Sequence, residues 1–273
     1  MNARVTCLAL ALLLSAAPAR AAAPPQAAMQ SLMDHMSKGA RTSRQGDWVT
    51  YRMDGGGARV HYWRMAVVGQ EKDRYERDAV WLEVEFGTHP AMRSPLGQMK
   101  MLVALGEEAD PKRHAITRLI ASAGYGKPQE YSQEALEHAL TKTPRPKEDA
   151  PKAKAPPPGA MPRPTIRTGK QARLMTHAGT VTAVPVEVVV RNTVIKRMWI
   201  SRELPVINLA KIEIPGIGQS MEVAEYGVDA KSRIRMPLPN EPQVRLEYAD
   251  QKFANLPWLQ SEEGEEEEEE ESP

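Results

Sequence analysis

The sequence predicts a mainly β chain of α+β type, built as an antiparallel sheet or barrel with two short helices and a Pro-rich interruption. Three observations carry that reading. Apolar and polar residues alternate along many short runs, as in strands with one buried face. Gly and Pro punctuate those runs at close spacing, the signature of sequential antiparallel strands. Residues 143–169 lose the alternation altogether.

The chain begins with features that do not belong to the fold. Arg4 precedes the apolar run Val5–Leu14, which is too short to cross a bilayer, and Ala19-Arg20-Ala21 offers a small-x-small cleavage pattern before Ala22. Residues 1–21 are therefore expected to be a cleaved signal peptide, and the product periplasmic or secreted. Cys7, the one cysteine, leaves with that segment. The mature chain is expected to form no disulfide and to offer no thiolate to a metal. No later run approaches the roughly 20 apolar residues that a membrane helix needs.

Residues 22–142 read as the first part of a β domain. Pro24-Pro25 starts a segment with Met29, Leu32, Met33 and Met36 at helical spacing, stopped by Gly39. That pattern predicts an amphipathic helix over 24–39. Trp48–Met53 and Arg59–Val68 flank Asp54-Gly-Gly-Gly57 and predict a hairpin. Asp78–Phe86 places Val80, Leu82, Val84 and Phe86 on one face and Trp81, Glu83 and Glu85 on the other, so the second face should be wet or line a cavity. Lys100–Leu105 and Ile116–Ala123 are further strands. Ser132–Lys142, with Leu136 and Leu140 on one side, is a second short helix.

Residues 143–169 are dominated by Pro, Lys and Ala and cannot bury enough apolar surface to offset ordering, so a disordered, extended linker is expected. From Lys142 to Lys170 there are eight basic residues and two acidic ones. Residues 170–260 read as the second part of the same β domain, with strands at Ala183–Arg191, Val194–Ser201, Val206–Ile214, Gln219–Tyr226 and Val244–Tyr248. The second part has too few elements for a comfortable core of its own, which favours one sheet interrupted by an insertion over two domains. Residues 261–273 hold nine Glu and are expected to be a disordered, solubilising tail. The net charge of +1 is thus a sum of opposed segments.

Little in the sequence points to catalysis. The six histidines are scattered without metal-ligand spacing, and Glu134 with His138 on one helix face reads as a solvated pair. Neither a nucleophile elbow nor a phosphate loop is present; Gly55-Gly56-Gly57 joins two strands instead of opening a helix. Glu83 and Glu85, at i and i+2, are expected to face water. No enzymatic activity and no cofactor are expected. Nucleic acid is not expected as a partner, because the basic residues lie in a Pro-rich tether without interleaved aromatics and the chain is expected to be exported. Five Trp and 14 Met suit either a packed core or the wall of an apolar cavity.

The motifs Gly46–Tyr51, Ala66–Glu71, Val80–Glu83, Met99–Val103, Met198–Pro205 and Tyr226–Ile234 together resemble a group of uncharacterised exported bacterial proteins. Their sheet is similar to that of the periplasmic lipoprotein carriers of the LolA/LolB type. The resemblance spans roughly residues 45–235 without the linker. It implies an unclosed antiparallel β half-barrel, with helices 24–39 and 132–142 lying over the concave face of an apolar cavity. None of the carriers' functional residues is carried over by it; a non-enzymatic binding protein for a lipid or lipoprotein acyl chain is the expectation, with Trp63, Trp81, Met101, Met198 and Trp199, from the strand and Trp/Met pattern, as the expected lining. The alternative is an envelope structural or interaction protein that shows its basic linker and acidic tail to protein partners.

Overall fold

The computed structural model describes residues 43–55, 60–105, 115–123, 126–141 and 164–248. The expected signal peptide, the helix over 24–39, most of the Pro-rich linker, part of the glycine turn, Trp258 and the Glu tail lie outside the described residues.

The described chain is a sheet of 12 strands in the order β6-β5-β4-β3-β2-β1-β12-β11-β10-β9-β7, with β8 beside β9 off that path. Its named strands are β1 Trp48–Asp54, β2 Val60–Lys72, β3 Asp78–Gly87, β4 Gly97–Ala104, β5 Ile116–Ala123 and β6 Gln129–Glu130, then β7 Thr165–Thr168, β8 Ala172–Thr176, β9 Gly179–Val190, β10 Thr193–Ile200, β11 Leu209–Ile214 and β12 Gln219–Gly227. The pairings along it are antiparallel, and the ends of the order, β6 and β7, are not joined, so the sheet is unclosed. The pivot is β1, paired to β2 on one side and to β12 on the other, which makes one sheet of the strands before and after the Pro-rich segment.

Local chemistry explains the turns. Arg191 and Asn192 both take positive φ (49° and 65°) between β9 and β10, the two-residue geometry that matches the twist of a hairpin. Pro185 interrupts the edge of β9 where β7 hands over to β8; a Cβ on Gly169 would lie 2.7 Å from the proline ring, so only glycine passes there. The helix α1 (Gln133–Thr141) starts on Ser132, whose Oγ accepts from the Ala135 amide at 3.2 Å.

Several boundaries differ from the sequence expectation. Thr165–Thr168, inside the expected linker, is a strand on β9; its side chains are all exposed, so no alternation marked it. Strand β8, mostly exposed, was hidden for the same reason. The run expected from Val206 starts only at Leu209, because Val206 and Asn208 hold φ of 66° and 52° in a buried loop. Val244–Tyr248 is not a strand: Val244 makes one parallel bridge to Tyr131, and residues 246–248 are helical.

The sheet has two differently built faces. The inner face carries the main core, which takes in Tyr51, Met65, Leu82, Met99, Met101, Leu119, Val186, Met198, Ile212 and Val223 from strands on both sides of β1. Leu136 and Leu140 of α1 and Leu204, Val206 and Ile207 of the loop 201–208 pack onto it. The β8–β9 hairpin folds back far enough for the Ala178 amide to reach the Val223 carbonyl of β12, three strands away in the order. The outer face carries a small second cluster of Ala79, Trp81, Leu102, Ile120 and Ile234.

Candidate functional site: an apolar inner face and a charged outer face

Cross-strand register arranges the inner face in rows. One row runs Tyr51–Trp63–Phe86 over β1, β2 and β3; the next toward the β1–β2 turn is Met221–Met53–His61. Deeper rows run Val49–Met65–Val84–Met99 and Val67–Leu82–Met101–Leu119. Burial grades along this series. Met65, Met99 and Met101 are sealed, whereas Met53, His61 and Trp63 are only partly covered, so the rows nearest the β1–β2 turn form the rim. Trp63 stands edge-on to Phe86 at 6.3 Å, and His61 stacks on Phe86 at 5.1 Å. The Tyr51 hydroxyl donates to the Leu209 carbonyl at 2.9 Å, tying β1 to β11 across the core; burial pushes its pKa above the ordinary tyrosine value.

Of the five residues expected to line a ligand, Met101 and Met198 sit fully buried in the inner core, and Trp63 packs against it from the rim. Trp199 packs at the border of the same cluster, with Arg197 and Lys211 5.8 and 5.7 Å from its ring. Trp81 is set apart on the outer face, between Lys100 and Arg118 at 5.4 and 5.2 Å.

The outer face holds what the sequence did not reveal. Glu83 and Glu85, expected to face water, are 0% and 1% exposed. Their cover is the chain after β12, which crosses this face as a strap. Glu83 accepts from the Ser232 hydroxyl (2.6 Å) and from the Arg233 and Ile234 amides (2.9 and 3.2 Å), and it pairs with Lys100 at 3.1 Å. The Lys100 ammonium also donates to the Ser232 Oγ and the Ile234 carbonyl. Glu85 pairs with Arg64 at 3.0 Å and with Arg233 at 3.6 Å. Burial raises the Glu85 pKa despite these cations and lowers that of Arg64 despite its carboxylate. The strap enters over Gly46: a Cβ there would lie 2.1 Å from the Val228 carbonyl, and φ is +96°. One sequence signal for the cluster existed, since Arg64 and Lys100 fall directly opposite Glu85 and Glu83 in register.

These carboxylates hold backbone and cations. A cleft of about 910 Å³ lies elsewhere, between Ser132 and Glu134 at the start of α1 and Pro239–Glu247 beyond the strap. Among the described residues no group of His, Cys, Asp and Glu is placed to hold a metal ion. No described helix is long and apolar enough to cross a membrane.

No protein-family model matches the chain, and comparison with curated proteins returns no match. Solved structures do. An exported protein with a YmcC-like fold from Bacteroides fragilis is 12% identical, with 68% of this chain and 97% of that one covered and a TM-score of 0.30. MucB in its complex with MucA from Pseudomonas aeruginosa is 9% identical over 75% of this chain and 58% of that one, at a TM-score of 0.31. An outer membrane lipoprotein-sorting protein domain from Vibrio parahaemolyticus is 9% identical over 83% and 97%, at 0.25. The first is an exported protein and the third a lipoprotein-sorting domain, the kinds of protein that the sequence motifs resemble. The functional reading rests on the residues themselves.

Proposed function

We propose that the protein is an exported, non-enzymatic binding protein of the cell envelope that holds a lipid or lipoprotein acyl chain against the inner face of its unclosed sheet. The observation that carries this is the make-up of that face and of its cover. Met65, Met99, Met101, Met198 and Met221 all belong to the inner core, and unbranched thioether side chains repack around an irregular apolar guest at little cost. Among the described residues, what packs onto this core is α1, the loop 201–208 and the folded-back β8–β9 hairpin, each of them a small element. That loop keeps the β-branched Val206 in the left-handed region, a conformation that costs free energy and that departure from the sheet would relieve.

Native mass spectrometry of protein purified from its own envelope tests the reading. An acyl-bearing species that leaves on delipidation is expected, together with displacement by fatty acyl compounds of an apolar fluorescent probe bound to the stripped protein. A ligand-free sample that also fails to take up the probe would overturn it.

A further inference from the structure

The indole N–H of Trp63 is buried and, among the described residues, has no hydrogen-bond acceptor. An N–H withheld from water without a partner is rare, because it forfeits the bond that water would supply. Its setting is equally specific. Trp63 belongs to the rim row of the inner face, between Tyr51 of β1 and Phe86 of β3, with Met53 and His61 in the row beyond. The Tyr51 hydroxyl donates to the Leu209 carbonyl and does not reach the indole N–H, and the side chains of the neighbouring Phe86 and Met53 carry no oxygen. A donor without an acceptor, ringed by aromatic and thioether groups at the edge of an apolar face, is complementary to one kind of chemical group. That group is a neutral carbonyl oxygen carried on an otherwise apolar molecule. A free carboxylate fits less well, because its charge would be desolvated against a single neutral donor.

We propose that Trp63 is the polar anchor of the binding face and that its N–H donates to the carbonyl oxygen of an ester-linked acyl chain, whose hydrocarbon then runs inward over Met65, Met99 and Met101. The inference rests on the proposed function and adds to it the ligand's chemical class, its direction and the residue that reads it. Shallow seating of the carbonyl at the rim leaves the rest of the parent molecule outside, so the same anchor serves an acyl chain of a diacyl phospholipid or of a diacylglyceryl-modified protein.

The test is the indole N–H region of the proton–nitrogen NMR spectrum, in which the chain's five tryptophans give separate signals. The Trp63 signal is identified by its loss in Trp63→Phe, or, should that variant not fold, by elimination with the other four Trp→Phe variants. The delipidated protein is titrated with a long-chain fatty acid methyl ester and with the n-alkane of equal length. The ester is expected to move the Trp63 signal downfield and the alkane not to, and Trp63→Phe should lose about three- to tenfold in affinity for the ester alone. Equal movement by both, or an unchanged preference in the variant, would overturn the anchor while leaving apolar binding intact. Failure of both to bind the wild-type protein would instead remove the proposed function, and the anchor with it. A diacylglyceryl-cysteine peptide and a diacyl phospholipid then separate the sources: whichever moves the signal names the parent molecule, and silence from both overturns the proposal.

Discussion

Glu83 and Glu85 stand two positions apart on one strand face, and both are buried with cations. Glu83 is the more completely satisfied, with two amides, a hydroxyl and Lys100 around its two oxygens. Removing one partner of such a buried pair strands the other charge, so Glu83→Ala should cost about 3–5 kcal/mol in urea unfolding. A loss below about 1 kcal/mol would show that Lys100 escapes to water. Lys196 supplies a pH test at the same scale. Burial lowers its pKa from 10.5 to about 8, so between those values the unfolded chain binds more protons than the folded one. Stability from this group therefore rises as pH goes from about 8 to 10.5, and Lys196→Met should flatten that slope. An identical slope in the variant would refute it. The inner members of β3, Val80, Leu82, Val84 and Phe86, were legible in the sequence because alternation encodes them. Glu83 was not, because its decisive partner Ser232 lies 149 positions away and periodicity carries no information at that range.

The strap after β12 is the element that closes the outer face. Ile234, 2% exposed, packs with Trp81, Leu102 and Ile120, while Glu83 and Lys100 read the backbone on either side of it. Ile234→Ala should lower stability by about 2–4 kcal/mol through lost burial and an unfilled cavity. The strap does not end there. Farther along, the Val244 amide donates to the Glu130 carbonyl of β6, and the Ser132 amide at the start of α1 donates to the Val244 carbonyl. The outer strap and the inner cover are thus joined by hydrogen bonds at the β6 edge. Hydrogen exchange in Lys100→Met should accelerate both in residues 230–236 and in the first turn of α1; acceleration confined to the strap would show that the two are independent. The strap itself was unreadable from sequence: residues 228–243 form no regular element, and their apolar contacts come singly. The β1–β2 hairpin was legible because strand, turn and strand are contiguous.

At the scale of the molecule, the controlling pairing is between β1 and β12. Trp48 lies opposite Gly227, where a Cβ would meet the indole nitrogen at 2.7 Å, and Asp54 lies opposite Ser220. Strands from the two ends of the described chain are therefore central neighbours, and the core draws on both sides of that seam. Neither half keeps a complete inner face without the other. β1 to β6 alone would expose Tyr51, Val49 and Met65, and β7 to β12 alone would leave the edge of β12 open beside Val223 and Met221. Cleavage at a single engineered protease site between residues 150 and 158 should accordingly leave two fragments that co-migrate in size-exclusion chromatography and unfold together in one transition. Separated under denaturant, each fragment alone should aggregate or stay unfolded, and mixing them should restore the sheet slowly, because pairing so distant in sequence must wait for chain closure. Two fragments that each refold alone with their own transitions would refute the single-sheet architecture and make the β1–β12 seam a contact between domains.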